Sequence, residues 1–136
     1  MQENMAGDIY WLVLTVVMTG LFWVPYIINR MKEHGFFPAI WNPEPDTRPK
    51  AQWAERMMRA HSNAVENLII FAPLVLCASF LNLNSSLTLL SCKVYFFARL
   101  AHFALYTLRV PLLRTVCFLI GVSAQMTIAF TILKGF

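Results

Sequence analysis

From Ile9 to Asn29 the chain reads IYWLVLTVVMTGLFWVPYIIN, without a single charged side chain. A helix of that length, rising about 1.5 Å per residue, spans the ~30 Å hydrocarbon layer of a bilayer. A secretory signal is not expected there, because the preceding residues hold Glu3 and Asp8 and no Lys or Arg. The stretch reads as a first transmembrane helix.

Three further apolar stretches follow. Asn67 to Cys92 is free of charge throughout, broken only by the polar NLNSS at 82–86, where a helix should end and turn. Leu87 to Leu108 is apolar apart from Lys93, Arg99 and His102, and Thr115 to Leu133 again runs without a charge. The expected architecture is therefore all-α: a single-domain, integral membrane four-helix transmembrane bundle, with spans near 9–30, 54–81, 87–108 and 112–133. The only long connection, 31–53, contains PAIWNPEPDTRPK, whose four prolines predict an extended loop. Trp41 and Trp53 should rest at the membrane interface. A mean hydropathy of +0.57 with 13% charged residues agrees with a membrane class.

The cations set an expected orientation. Arg30, Lys32, Arg48, Lys50, Arg56 and Arg59 lie in or beside the first loop, and Arg109 and Arg114 beside the third, so both loops should face the cytoplasm and both termini the other side. The net charge of +4 then reflects topology. Nucleic acid is not an expected partner, since the cations form no continuous basic face. Cys77, Cys92 and Cys117 fall singly in apolar segments, and His34, His61 and His102 are isolated, so no metal site is expected.

Polar residues inside the spans demand a reason, because a charge near mid-membrane costs roughly 2.5 to 3.5 kcal/mol. In RAHSNAVEN (59–67), Arg59, Asn63 and Glu66 fall within about 60° on one helix face. Arg99, His102 and Tyr106 form a second stripe of similar width on the third span. Two stripes rising from one membrane face suggest a shared cavity. Such residues also serve as glue between helices, but a surplus of positive charge points to an anionic partner. Arg59 and Asn63 could meet carboxylates while Glu66 receives an ammonium, the complement of a small zwitterionic peptide.

The segments ERMMRAHSNAVEN, FFARLAHFALY and RVP resemble the MAPEG superfamily, membrane-associated proteins in eicosanoid and glutathione metabolism, over nearly the whole chain. The resemblance implies a homotrimer that binds glutathione as co-substrate between subunits near the cytoplasmic side. It implies that Arg59, Asn63 and Glu66 hold the tripeptide's charged ends, that Arg30 contributes from its own or an adjacent chain, and that Arg99, His102 and Tyr106 line the pocket. The catalytic arginine of the family fits Arg114 best, with Thr115 beside it; Arg109, closer to Tyr106 in sequence, competes and otherwise lines the glutathione site. Ser62 departs from the family where some members have another arginine, and Ile70 stands at the usual proline site, with Pro73 further on. The expected function is a glutathione transferase, with peroxidase activity also open, acting on lipophilic electrophiles in the membrane. The alternative is a non-catalytic lipid-binding or scaffold protein of the same fold. A transporter is disfavoured, because no pair of Gly/Pro-broken helices stands in corresponding halves.

Overall fold

A computed structural model describes residues 2–41 and 48–136. Six helices follow in order among them: α1 (Gln2–Leu21), α2 (Val24–His34), α3 (Phe36–Trp41), α4 (Gln52–Phe80), α5 (Ser86–Thr107) and α6 (Pro111–Lys134). No strand occurs among the described residues.

The first apolar run is not one straight helix. It breaks at Phe22 and Trp23, and Pro25 is the cause. Proline lacks the N–H that would bond the Leu21 carbonyl, and its ring crowds that same carbonyl. The chain tightens through Phe22 N–H to Thr19 C=O at 3.3 Å and resumes as α2 through Ile27 N–H to Trp23 C=O at 3.1 Å.

The first loop also departs from an extended form. Residues 36–41 form the short helix α3, with Pro38 in its first turn. First-turn N–H groups have no partner inside a helix, so a proline there forfeits nothing. The proline-rich stretch 42–47 lies outside the described residues.

Local chemistry sets the helix ends. At the start of α5, Ser85 and Thr88 form a reciprocal capping box: the Thr88 N–H donates to the Ser85 hydroxyl at 3.3 Å and the Ser85 N–H to the Thr88 hydroxyl at 2.9 Å. Pro111 opens α6, where its fixed φ suits the first helical position. Two helices close with a left-handed residue: Asn82 (φ 55°) after α4 and Arg109 (φ 64°) after α5. In each case the following N–H reaches back over the last turn at 2.9 Å, Leu83 to Ala78 C=O and Val110 to Leu105 C=O.

α1, α4, α5 and α6 share one core, built from Leu12, Phe71, Val75, Ala78, Cys92, Tyr95, Ala124, Ile128 and Ile132. Phe71 stacks on Tyr95 with ring centroids 3.7 Å apart. Near the α1–α2 break Phe22 stacks on Phe103 at the same distance. α5 and α6 pack most intimately. Gly121 lies at this contact, where a Cβ would meet Arg99 Cδ at 3.4 Å.

The outer surface is apolar: Val13, Val17, Ile69, Leu119 and Phe130 are all exposed, as expected where lipid replaces water. Three helical stretches, Glu3–His34, Gln52–Phe80 and Pro111–Lys134, are long and apolar enough to cross a membrane. α5 is not among them. Its 22 residues suffice in length, but Lys93, Arg99 and His102 dilute its hydropathy.

Candidate functional site

α4 distributes its polar residues over two faces. Asn63 turns inward, and its Oδ1 accepts a hydrogen bond from Arg99 Nη2 of α5 at 2.6 Å. Arg59 turns outward, with its side chain 64% exposed, and pairs with Glu55 one turn back at 2.8 Å. Glu66 is exposed as well, and among the described residues nothing forms an ion pair with it. The expected convergence of Glu66 and Tyr106 is therefore not made within one copy. The polar stripe on α4 is broad enough for its edge, Asn63, to enter the contact with α5 while the other two stay outside.

Around Arg99 a polar seam crosses the core. The Asn67 amide donates to the Asn63 carbonyl at 2.9 Å, and the Gln125 amide of α6 donates to the Asn67 carbonyl at 2.9 Å. Arg99 is only 2% exposed, yet its Nε and Nη1 have no hydrogen-bond partner among the described residues. His102 is buried beside it, its Nδ1 likewise unpartnered, between the rings of Tyr106 and Phe118 at centroid distances of 5.7 and 6.0 Å. The seam thus carries a buried positive charge with unused donors, an arrangement that favours an anion.

Arg109 and Arg114 are placed differently. Arg114 lies over the Tyr106 ring, its Cζ 4.6 Å from the centroid, a cation–π contact that brings it to the His102–Tyr106 side of α5. Arg109 occupies the left-handed joint between α5 and α6 and is exposed. Thr115 is exposed, and its hydroxyl donates back to the Pro111 carbonyl at 3.1 Å. That proton is committed to the helix backbone, so Thr115 must leave it before serving a ligand.

Arg30 is half-buried on α2 and lines a small recess with Tyr26, Glu33, His34 and Met58. Glu33 accepts hydrogen bonds from Asn29 Nδ2 at 2.9 Å and from the N–H groups of Lys50 and Ala51, both at 3.1 Å. It thereby ties the end of α2 to the start of α4.

Some of the organising residues carry no signal in the sequence. Tyr26 Oη and His61 Nδ1 are 2.8 Å apart, a link between α2 and α4. Arg56 Nε donates to the Thr107 carbonyl at 2.8 Å, closing the end of α5 onto α4; read along the chain, it is one loop cation among several. No group of three or more His, Cys, Asp or Glu side chains able to hold a metal occurs among the described residues.

An Asn on α4 bound to an Arg on α5, with a second Arg from α6 over Tyr106, joins three helices. The sequence profile of the MAPEG family matches residues 9–134. The chain belongs to the MAPEG family. No curated protein matches it. As a MAPEG protein with three apolar, span-length helices, it is a membrane protein of glutathione or eicosanoid metabolism in the broad sense, in a family with both enzymes and non-catalytic members.

Proposed function

We propose that the chain is a membrane-bound glutathione transferase, able also to reduce hydroperoxides with glutathione, that works as a homotrimer of four-span bundles on lipophilic electrophiles. The observation that carries this reading is the division of the polar residues. Arg59 and Glu66 lie on the outside of α4, while Asn63, Arg99, His102 and Tyr106 lie within or beside the core. Glu66 is flanked by exposed Val65, Ile69 and Ile70, and a carboxylate facing hydrocarbon is expensive. A second copy over that face would cover Glu66 and complete a glutathione site. Both basic loops then face the cytoplasm, and the tripeptide enters from that side.

In this reading Arg59 and Asn63 hold carboxylates of glutathione, Glu66 receives its ammonium, and Arg30, Arg99 and His102 line the pocket. Arg114 acts on the sulfur. A free thiol has a pKa of about 8.5, so little thiolate exists at neutral pH. A guanidinium beside the sulfur favours the anion, and lowering that pKa by about two units corresponds to roughly 2.7 kcal/mol. The Tyr106 hydroxyl adds a donor to the sulfur, and Thr115 is a second once freed from Pro111. The thiolate attacks the electrophile where the wet pocket meets the apolar wall, and the displaced group leaves with the bonding pair.

The test is thiolate formation, followed by ultraviolet difference absorbance as glutathione is added to purified protein. Wild type should form thiolate. Arg114→Ala should bind glutathione calorimetrically yet form roughly tenfold less or lower, whereas Arg59→Ala should bind weakly. Equal thiolate in wild type and Arg114→Ala would remove Arg114 from the chemistry. A second reading, a non-catalytic lipid-binding member of the fold, draws support from the committed hydroxyl of Thr115; a wild type that forms no thiolate while binding lipid would favour it.

A further inference from the structure

The opposite end of the molecule holds a second polar cluster, formed by α1, the turn after α4 and the start of α5. Asp8 is 1% exposed. Its Oδ2 accepts from Asn84 Nδ2 at 2.6 Å and from the Thr88 hydroxyl at 2.7 Å. Asn84 Nδ2 also reaches the Ser79 hydroxyl at 3.2 Å. Both donors to Asp8 thus aim at one carboxylate oxygen. Asp8 Oδ1 and Asn84 Oδ1, each on a buried residue, have no hydrogen-bond partner among the described residues. They belong to two side chains joined through their other polar atoms at 2.6 Å, and each of the two free oxygens keeps unused lone pairs. Among the described residues no Lys, Arg or His forms an ion pair with Asp8; the pairs found are His34–Glu33 and Arg59–Glu55.

A buried carboxylate without a cation, beside a carbonyl oxygen without a donor, is unfavourable on both counts. One small positive ion between them relieves both. We propose that Asp8 Oδ1 and Asn84 Oδ1 hold a sodium ion. The donor set is all oxygen, which selects a hard cation. It carries one formal charge, whereas calcium sites gather several carboxylates and a larger shell of oxygens. An open apolar groove between α1 and α4, lined by Met5, Ile9, Tyr10, Leu76, Ser79 and Phe80, runs beside the cluster. Ser79 belongs both to the groove wall and to the hydrogen-bonded cluster, so water completing the ion's shell enters there. The bound ion fixes the start of α1 against the α4–α5 turn. The site is independent of the transferase reading and stands if that reading fails.

The experiment is thermal unfolding of the full chain in detergent or nanodiscs, in sodium chloride and in choline chloride of equal ionic strength. Wild type should melt several degrees higher in sodium, with a dependence on sodium concentration that saturates, as for any ligand of the folded state. Asp8→Asn, nearly isosteric, should melt at one temperature in both salts. Thr88→Val loses a contact to the other carboxylate oxygen but keeps the two free ones, so it should melt lower in both salts and retain the sodium increment. If Asp8→Asn does not fold, infrared spectra of wild type suffice: the carboxylate stretch should shift when choline replaces sodium. Identical melting and identical carboxylate bands in the two salts overturn the proposal, as does a protonated-acid band in sodium that Asp8→Asn removes.

Discussion

Arg99 places a guanidinium among α4, α5 and α6 with, among the described residues, only Nη2 hydrogen-bonded, to Asn63. Two roles compete: a strut between helices, or a donor held ready for an anion. They predict different mutants. Removing the partner in Asn63→Ala should lower stability by about 2–4 kcal/mol, because a buried cation loses its bond; chemical unfolding in mild detergent measures it. Arg99→Met keeps the length and removes the charge, and a buried ion exchanged for an apolar side chain of similar volume is often neutral or better for the fold. The expected outcome is a folded Arg99→Met that has lost glutathione affinity. A variant that binds glutathione as wild type does would make Arg99 a strut.

Among the elements, the joints carry the specificity of the fold. Arg109 closes α5 at φ 64°, a region where a side chain costs roughly 1 to 2 kcal/mol and glycine costs nothing sterically. Arg109→Gly should therefore raise stability by about 1 kcal/mol and leave thiolate formation unchanged; a loss of thiolate would return Arg109 to the chemistry in place of Arg114. At the other joint, Glu33 holds the entry to α4 by accepting from Lys50 and Ala51 N–H. Glu33→Ala should loosen this joint and appear as faster amide exchange at 50–54. Unchanged exchange there would mean that water replaces these hydrogen bonds at no cost.

For the whole molecule, the decisive feature is that Glu66 lies on an apolar, lipid-suited surface. Chemical cross-linking in membranes should trap three copies, and native mass spectrometry from mild detergent should give a trimer mass. Glu66→Leu should preserve that trimer, since it adds apolar surface at the covered face, and should abolish glutathione binding. A monomer that nevertheless forms thiolate would overturn the shared-site reading.

The amino-acid sequence by itself determined the membrane class, the helical content, the turn after α4 and the family. Each of these follows from local pattern: charge-free length, the NLNSS interruption, and motifs on one helix face. The break between α1 and α2 was available to the same reading, because Pro25 lies inside the run, and α3 shows that a proline early in a helix does not forbid one. Only the tertiary structure decided which face of each helix turns inward. It separated Asn63 from Glu66, set Arg114 and not Arg109 over Tyr106, and joined Asp8 to Asn84 and Tyr26 to His61. Helix periodicity fixes angles around one axis but not which neighbour occupies each side. That is set by the packing of all the helices at once, through contacts such as Gly121 against Arg99 that no stretch of sequence contains.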